Sequence, residues 1–468
     1  MVTQAFGFLV SMMVARILGV KSYGLLAFAY SVAVLCVVVP GFGFNRLTVR
    51  ELARRPSRAS RFMVTVSVLM WLFTLPMAGI CALVALFDQN QNGESRLFVI
   101  LMVFLFMATQ QHMLWICSFF RAFQKAGKET FVRILLATLW LFTGIVVLST
   151  GFGLKILVTS RLAATILCLG LTIFLVKKDF KIVIEKFRWR YAKMLVKMSA
   201  PLAIFYILAI ASPLLNLVIL GILRGDVDTG YYSAAEKIVS LIGVIPVSLA
   251  WAALPYLSRE WVNSQEEFSK TYRKIIRYAL LISIPLMVAT YFFGGKTISL
   301  LFGKEYILSV PVLSILAFGI VPFFVSQING TALISMNKQN VAVLSVLSGM
   351  VVVILTSIVL IPMWGPVGTA FSRLVSLYVI LLVEMKVLFR NWWNRGLIST
   401  LIKSLAAGSA MAMAAFLLTR YSSALPVLIG LSLAIYTAVL LLIREISLHE
   451  LVNLRRVCFD ICRSYGKR

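Results

Sequence analysis

Apolar windows of about 20 residues recur along the whole chain, separated by short polar connections. Fourteen such windows are centred near residues 11, 34, 74, 108, 141, 165, 210, 244, 289, 321, 352, 378, 410 and 433. Each is long enough to carry a helix across about 30 Å of hydrocarbon at ~1.5 Å per residue. The pattern predicts an all-α integral membrane protein with about 14 transmembrane helices. Composition agrees: 61% of the 468 residues are hydrophobic and only 13% are charged, where soluble domains run at about 45–50% and about 25%. The short connections leave no room for a soluble catalytic domain. The chain enters its first apolar window without a basic n-region or a small-residue cleavage site, so no signal peptide is expected; so abrupt a start leaves open whether residues precede it.

A net charge of +28 could point to nucleic acid, but the distribution of the 45 Lys and Arg residues argues otherwise. Sorted by connection, 34 fall in the even-numbered connections and the C-terminal tail, and seven in the odd-numbered ones. That bias places the even connections and both termini in the cytoplasm. Basic loops facing an anionic inner leaflet account for the charge with no nucleic-acid partner. The remaining four cations, Arg16, Arg161, Lys237 and Arg373, lie within apolar windows.

The chain also repeats itself. Gly24 and Pro40 have the same spacing as Gly230 and Pro246, an offset of 206 residues. Ser160-Arg161-Leu162 matches Ser372-Arg373-Leu374, and Gly153 matches Gly365, at an offset of 212. Spans 1–6 and 7–12 start on the same side, so the repeat is parallel, related by an axis along the membrane normal, as in many carriers. The expected organisation is an N-lobe over residues 1–176, a basic cytoplasmic linker over 177–197 and a C-lobe over 198–390. Two further helices over 391–443 and a basic cytoplasmic tail over 444–468 complete it. The tail reads equally as an interfacial amphipathic helix or as disorder.

The stretch GDVDTGYYSAAEKIVSLIGVIP carries Glu236 and Lys237 into the first turns of an apolar segment. A charged residue at the centre of a span costs at least ~2.5–3.5 kcal/mol on insertion scales and is a functional candidate by default. Arg161, Lys237 and Arg373 fall in the outer halves of their spans, and Arg16 near an outer end, so snorkelling stands beside a cavity reading. Together the four favour a cationic cavity suited to phosphate or pyrophosphate. Glu236, the acidic residue well inside a span, is a charge partner for a cation on another helix or a site for H+ or Na+ coupling; no cofactor is expected. His112, beside Gln110 and Gln111, reads as a packed polar patch or a proton relay. Asn216, Gln327 and Asn329 read as hydrogen-bond partners for sugar hydroxyls or as interhelical bonds. Arg46 and Arg50 read as the inner positive-charge signal or as contacts for lipid phosphates on entry. Cys36, Cys81, Cys117 and Cys168 lie in apolar windows as small hydrophobes, and Cys458 and Cys462 lack His partners at zinc spacing, so neither metal nor disulfide is expected. No phosphate-cradling GxxxxGK[ST] loop occurs, which argues against ATP hydrolysis by this chain, and no enzyme constellation is present.

ARILGVKSYGLLAFAYSVAVL resembles the opening of bacterial polysaccharide repeat-unit flippases of the multidrug/oligosaccharidyl-lipid/polysaccharide exporter superfamily. The family pattern R-x-L-G-x-x-x-[YF]-G is met by Arg16, Leu18, Gly19, Tyr23 and Gly24. GYYSAAEKIVSLIGVIPVSLAWAALPYLS, RAFQKAGK and IPMWGPVGTAFSRLVS are similar to other segments of that family. The resemblance implies a two-lobed carrier in the bacterial inner membrane with a central cationic cavity. It would flip an undecaprenyl-pyrophosphate-linked oligosaccharide by alternating access, with Arg16, Arg161, Lys237 and Arg373 drawing the anionic head group. Its partners would be the lipid-linked glycan and membrane lipids, and polysaccharide polymerase and chain-length machinery. A peptidoglycan-precursor flippase and a cation-coupled multidrug exporter of the same superfamily are the alternatives; a polymerase or ligase would need a larger outer loop.

Overall fold

The computed structural model describes residues 2–86, 93–180, 185–392, 395–418 and 424–445. In chain order the helices are α1 (Val2–Gly41), α2 (Phe44–Arg54), α3 (Ala59–Leu86), α4 (Gly93–Ala122), α5 (Ala126–Ser149), α6 (Leu154–Phe180) and α7 (Trp189–Ile242). They continue with α8 (Val244–Asn263), α9 (Gln265–Leu301), α10 (Ser309–Ala317), α11 (Ile320–Ser335), α12 (Gln339–Trp392), α13 (Arg395–Leu418) and α14 (Leu425–Leu442). Single 3-10 turns occur at Pro56–Arg58 and Lys304–Tyr306, and no strand is present among the described residues. Helix is the form that satisfies every backbone group within one segment, which hydrocarbon demands. The hydroxyl side chains obey the same constraint by bonding the carbonyl one turn back, as Ser31 does to Ala27, Thr74 to Met70 and Thr172 to Cys168.

Ten helices are long and apolar enough to cross a membrane, or eleven with the bent pair α10–α11 taken as one span, among the described residues. About 14 were expected. The difference lies in α1, α7–α8 and α12, each of which holds two of the expected windows. Each long helix is interrupted by one glycine outside helical geometry: Gly19 (φ 77°, ψ −179°), Gly225 (φ 82°, ψ −168°) and Gly365 (φ 56°, ψ −128°). The first two lie in a region of backbone space that is essentially glycine-only. A straight helix of α12's 54 residues would extend ~80 Å at ~1.5 Å per residue, far beyond a bilayer core. Instead its arms double back. Ser376 Oγ donates to the carbonyl of Gly349 at 2.8 Å, and a Cβ on Gly368 would lie 2.2 Å from the carbonyl oxygen of Leu360.

The chain forms two compact units. One comprises residues 1–234, 301–308 and 350–372; the other comprises 235–300, 309–349 and 373–468. Helices α7 and α12 each contribute residues to both units. In the first unit, amphipathic α2 buries Phe44, Leu47, Thr48 and Leu52. They join a core with Phe62 and Val66 of α3 and Trp115, Phe119 and Phe120 of α4. Trp115 Nε1 donates to Thr48 Oγ1 at 2.9 Å. In the second unit, Leu257 of α8, Phe268, Tyr272 and Ile276 of α9, Phe324 and Ile328 of α11 and Leu388 of α12 form the main core. The expected linker is helical at both ends, in α6 and α7. Residues 181–184 within it and 446–468 of the tail, with Cys458 and Cys462, lie outside the described residues.

Candidate functional site

The internal repeat becomes concrete in the first unit. Gly24 of α1 and Gly230 of α7 both sit where helices meet backbone to backbone. A Cβ on Gly24 would lie 1.7 Å from the carbonyl oxygen of Asp226, and a Cβ on Gly230 would lie 2.4 Å from that of Val20. Val20 and Asp226, like Gly24 and Gly230, are 206 residues apart. Each copy's glycine is therefore seated on the other copy's equivalent carbonyl, which is how a two-fold related pair makes contact. The breaks at Gly19 and Gly225 are separated by the same 206 residues, and their backbone angles agree within about 11° in ψ and 5° in φ. Gly153 and Gly365, the pair at offset 212, both have positive φ.

Residues 301–308 close over this joint. Tyr306, fully buried, donates from its hydroxyl to the carbonyl of Ala15 at 3.2 Å, and its ring meets Tyr23, Tyr231 and Phe302 at centroid distances of 6.1, 6.3 and 5.6 Å. Arg16, exposed, donates from Nε to the carbonyl of Leu301 at 2.9 Å.

Beside the joint lies an ion pair that the hydropathy pattern conceals. Arg96, assigned from sequence to an outer connection, is 2% exposed on α4. Its guanidinium is 3.3 Å from the carboxylate of Asp226, donates to the carbonyl of Gly221 at 3.2 Å and lies 4.5 Å above the ring of Phe28. Asp226 follows the Gly225 break, so the break carries this carboxylate into the packed interior. Glu236 is thus not the sole acid on a membrane helix. Arg224 and Asp228, paired at 3.1 Å, flank the third break: a Cβ on Gly365 would lie 2.9 Å from Asp228 Oδ2.

Arg161, on α6, is 8% exposed and enclosed by aromatic rings. Trp140 lies at 4.7 Å and Phe106 at 5.8 Å from its guanidinium carbon, and one amine donates to the carbonyl of Leu136 at 3.4 Å. Its Nε is buried without a hydrogen bond. Asn216 bonds between helices through both ends of its amide: it donates to the carbonyl of Thr369 at 2.9 Å and accepts from Ser357 Oγ at 2.8 Å. His112 contacts the carbonyl of Ala108 through Nδ1 at 2.9 Å and meets the Trp71 ring, tilted by 31°, at a centroid distance of 4.7 Å, its Nε2 buried and without a hydrogen-bond partner.

In the second unit, Lys237 on α7 and Arg373 on α12 are half-buried, as are Glu236 and Gln327. No carboxylate lies within salt-bridge distance of Arg161, Lys237 or Arg373 among the described residues. The basic residues at the far end of the first unit contrast with them: Arg121 and Arg133 meet Glu129 at 2.9 and 2.7 Å, and Lys125 and Lys128 meet Asp179 at 3.4 and 2.6 Å. Cations left without counter-charges in apolar helices can recruit an anionic group. Asn329 accepts from the hydroxyl of Tyr272 at 2.8 Å and borders Glu384, a second buried acid that the sequence reading missed. Glu445, just past α14, is held by Thr400 Oγ1 at 2.7 Å, Lys403 Nζ at 3.0 Å and Arg277 Nε at 3.1 Å. No group of three His, Cys, Asp or Glu able to hold a metal occurs among the described residues.

The sequence profile of the family described as "Polysaccharide biosynthesis protein" matches residues 1–261, more than half of the chain. The chain belongs to that family. A second profile, MatE, matches residues 193–359 of this family member. Among curated relatives, the capsular polysaccharide biosynthesis protein CapF of Staphylococcus aureus is 28% identical over 35% of this chain and 42% of its own. The probable low-salt glycan biosynthesis flippase Agl15 of Haloferax volcanii is 22% identical over 65% of this chain and 64% of its own. A putative O-antigen transporter of Shigella flexneri is 21% identical over 46% of this chain and 51% of its own. The matches thus span between about two-fifths and under two-thirds of these relatives. Among solved structures, the inward closed lipid II flippase MurJ superposes with a TM-score of 0.74, at 14% identity over 95% of this chain and 97% of MurJ. An inward-facing MATE multidrug transporter gives 0.66, at 15% identity over 86% and 96%. The fold is that of the superfamily shared by polysaccharide flippases and MATE transporters, and the family member is a multi-pass membrane protein.

Proposed function

We propose that this protein is a flippase for an undecaprenyl-pyrophosphate-linked oligosaccharide repeat unit. It would carry the unit from the inner to the outer leaflet of the bacterial cytoplasmic membrane by alternating access, for surface polysaccharide assembly. The observation that carries this reading is that Arg161, Lys237 and Arg373 lie on apolar helices with no carboxylate partner among the described residues. A pyrophosphate cannot cross hydrocarbon bare, because an unpaired ion in a low-dielectric medium is very costly. Cations without fixed counter-ions would compensate it, and Arg16 would add a fourth charge near the outer end. The relatives with glycan-flippase and O-antigen-transporter names support the same substrate class. In this reading the arms of the three broken helices count as separate spans, giving fourteen with both termini cytoplasmic. Polymerase and chain-length proteins would receive the product.

The test is delivery of lipid-linked repeat units to the outer face in cells lacking their own carrier. Wild type is compared with Arg161→Ala, Lys237→Ala and Arg373→Ala at matched membrane levels. Export should collapse in the variants; persistence in all three would remove these cations from the transport path. The MurJ-like fold favours one second reading, a peptidoglycan-precursor flippase with the same pyrophosphate anchor. Rescue of cells depleted of their lipid II flippase, without rescue of polysaccharide export, would select it.

A further inference from the structure

The second unit contains a deeply buried carboxyl group apart from the cations considered above. Glu384 lies on the second arm of α12 and is 3% exposed. Three polar side chains face it: Ser345 from the first arm of α12, and Ser326 and Asn329 from α11. Only Ser345 closes a hydrogen bond, donating to Oε1 at 3.4 Å. Glu384 Oε2, Ser326 Oγ and Asn329 Nδ2 are buried without hydrogen-bond partners. The Asn329 oxygen is occupied by the hydroxyl of Tyr272 on α9, so its amide presents N–H groups toward the carboxyl.

No Lys, Arg or His pairs with Glu384 among the described residues, and the three groups beside it, Ser326 and Asn329 of α11 and Ser345 of the first arm of α12, are neutral. The same unit shows what a buried glutamate looks like when it is ionised. Glu445, also buried, collects Arg277, Lys403 and Thr400. Cations are plentiful in this chain, 45 against 17 acids, so their absence at Glu384 is a property of the site. A buried carboxylate with neither cation nor full hydrogen bonding is strongly disfavoured. A proton on the carboxyl removes the charge and supplies a donor for the unsatisfied Ser326 Oγ beside it. Sodium fits less well, because the Asn329 N–H groups point where an ion would need an oxygen.

We propose that Glu384 is a proton-binding site, occupied at neutral pH in the conformation described here. Its ligands are chain-internal, so the inference stands independently of the transported substrate. The test is infrared difference spectroscopy of the full chain in nanodiscs, titrated from pH 5 to pH 9 without any glycan lipid. The expected result is a protonated-carboxyl C=O band at pH 7 in wild type that Glu384→Gln removes. Ser345→Ala, a milder change, should shift the frequency of that band, and replacing potassium by sodium should leave it unchanged. Identical wild-type and Glu384→Gln spectra at pH 7 would overturn the proposal. So would a band indifferent to Ser345→Ala, which decides the matter even where Glu384→Gln does not accumulate. Loss of the band on adding sodium at constant pH would reassign the site to that ion.

Discussion

The buried pair between Arg96 and Asp226 gives the sharpest test of how the repeat-related helices are held. Asp226→Leu leaves a guanidinium that is 2% exposed without the Asp226 charge. Removing one partner of such a pair costs about 3–5 kcal/mol, because the other charge stays buried. Two contacts remain and offset part of that loss: the Gly221 carbonyl at 3.2 Å and the Phe28 ring at 4.5 Å, the latter contributing up to ~2 kcal/mol when desolvated. A net loss of about 2–3 kcal/mol is expected, equivalent to roughly 30- to 150-fold in an equilibrium constant. Arg96→Met should cost a similar amount by stranding Asp226. The double variant Arg96→Met/Asp226→Leu removes both charges and fills the space with apolar atoms, so it should melt above either single variant. Thermal unfolding of the four proteins in one detergent, as a double-mutant cycle, measures the coupling. If the double variant loses the sum of the two single losses, the pair is not coupled and the joint is held by its aromatic and backbone contacts instead.

Other outcomes follow from the same packing. Gly24→Ala would place a methyl group against the Asp226 carbonyl, an obstacle of backbone atoms, and should lower stability by about 1–3 kcal/mol. Gly79→Ala and Gly170→Ala, helical sites with nothing within 4 Å of the new atom, should be neutral or stabilising by up to ~1 kcal/mol in the same melting assay. Asn216→Ala removes a partner from the Thr369 carbonyl and the Ser357 hydroxyl at about 1–3 kcal/mol; an assay of export at matched protein levels should show transport retained, since the amide serves as an interhelical bond. At Glu445 burial pushes the carboxyl up, but the Thr400 and Lys403 hydrogen bonds and the Arg277 and Lys403 charges outweigh it, and the net shift is downward. A depressed carboxyl contributes its stability above the ordinary value of 4.5 and loses it as pH falls through that value and below. Melting temperature should therefore fall between about pH 5 and pH 3 in wild type, and this acid-sensitive step should shrink in Glu445→Gln.

Much of the architecture was legible because hydrocarbon makes simple demands on sequence. Long apolar windows announce helices, and two glycine pairs, at offsets of 206 and 212 residues, announce the repeat. The equivalence of Gly19 and Gly225 escaped notice because a shared backbone conformation leaves no mark in a one-letter code beyond the glycine itself. Hydropathy conceals Arg96 and Asp226 because it judges each segment alone. Both sit near segment ends, and only the fold at Gly225 brings them into the interior. Glu384 was overlooked for a related reason: on one helix it is a single acid close to the basic residue Lys386, and its isolation from cations exists only once α9, α11 and the first arm of α12 surround it. For Asn216 and Asn329, sequence left two roles open. Asn216 bonds across helices through both its nitrogen and its oxygen, whereas Asn329 leaves its amide nitrogen without a hydrogen-bond partner beside an acid.

The reversal at Gly365 also bears on biogenesis. The two arms of α12 are each ~40 Å long at ~1.5 Å per residue and meet at a single residue, with no intervening loop. Neither arm can be threaded into the bilayer and left to wait for the other. The chain must enter as a helical hairpin, its tip led across by Trp364, Gly365 and Pro366, a tripeptide without charge. An inserted charged loop at that tip would change what the translocation machinery has to carry before either arm can settle.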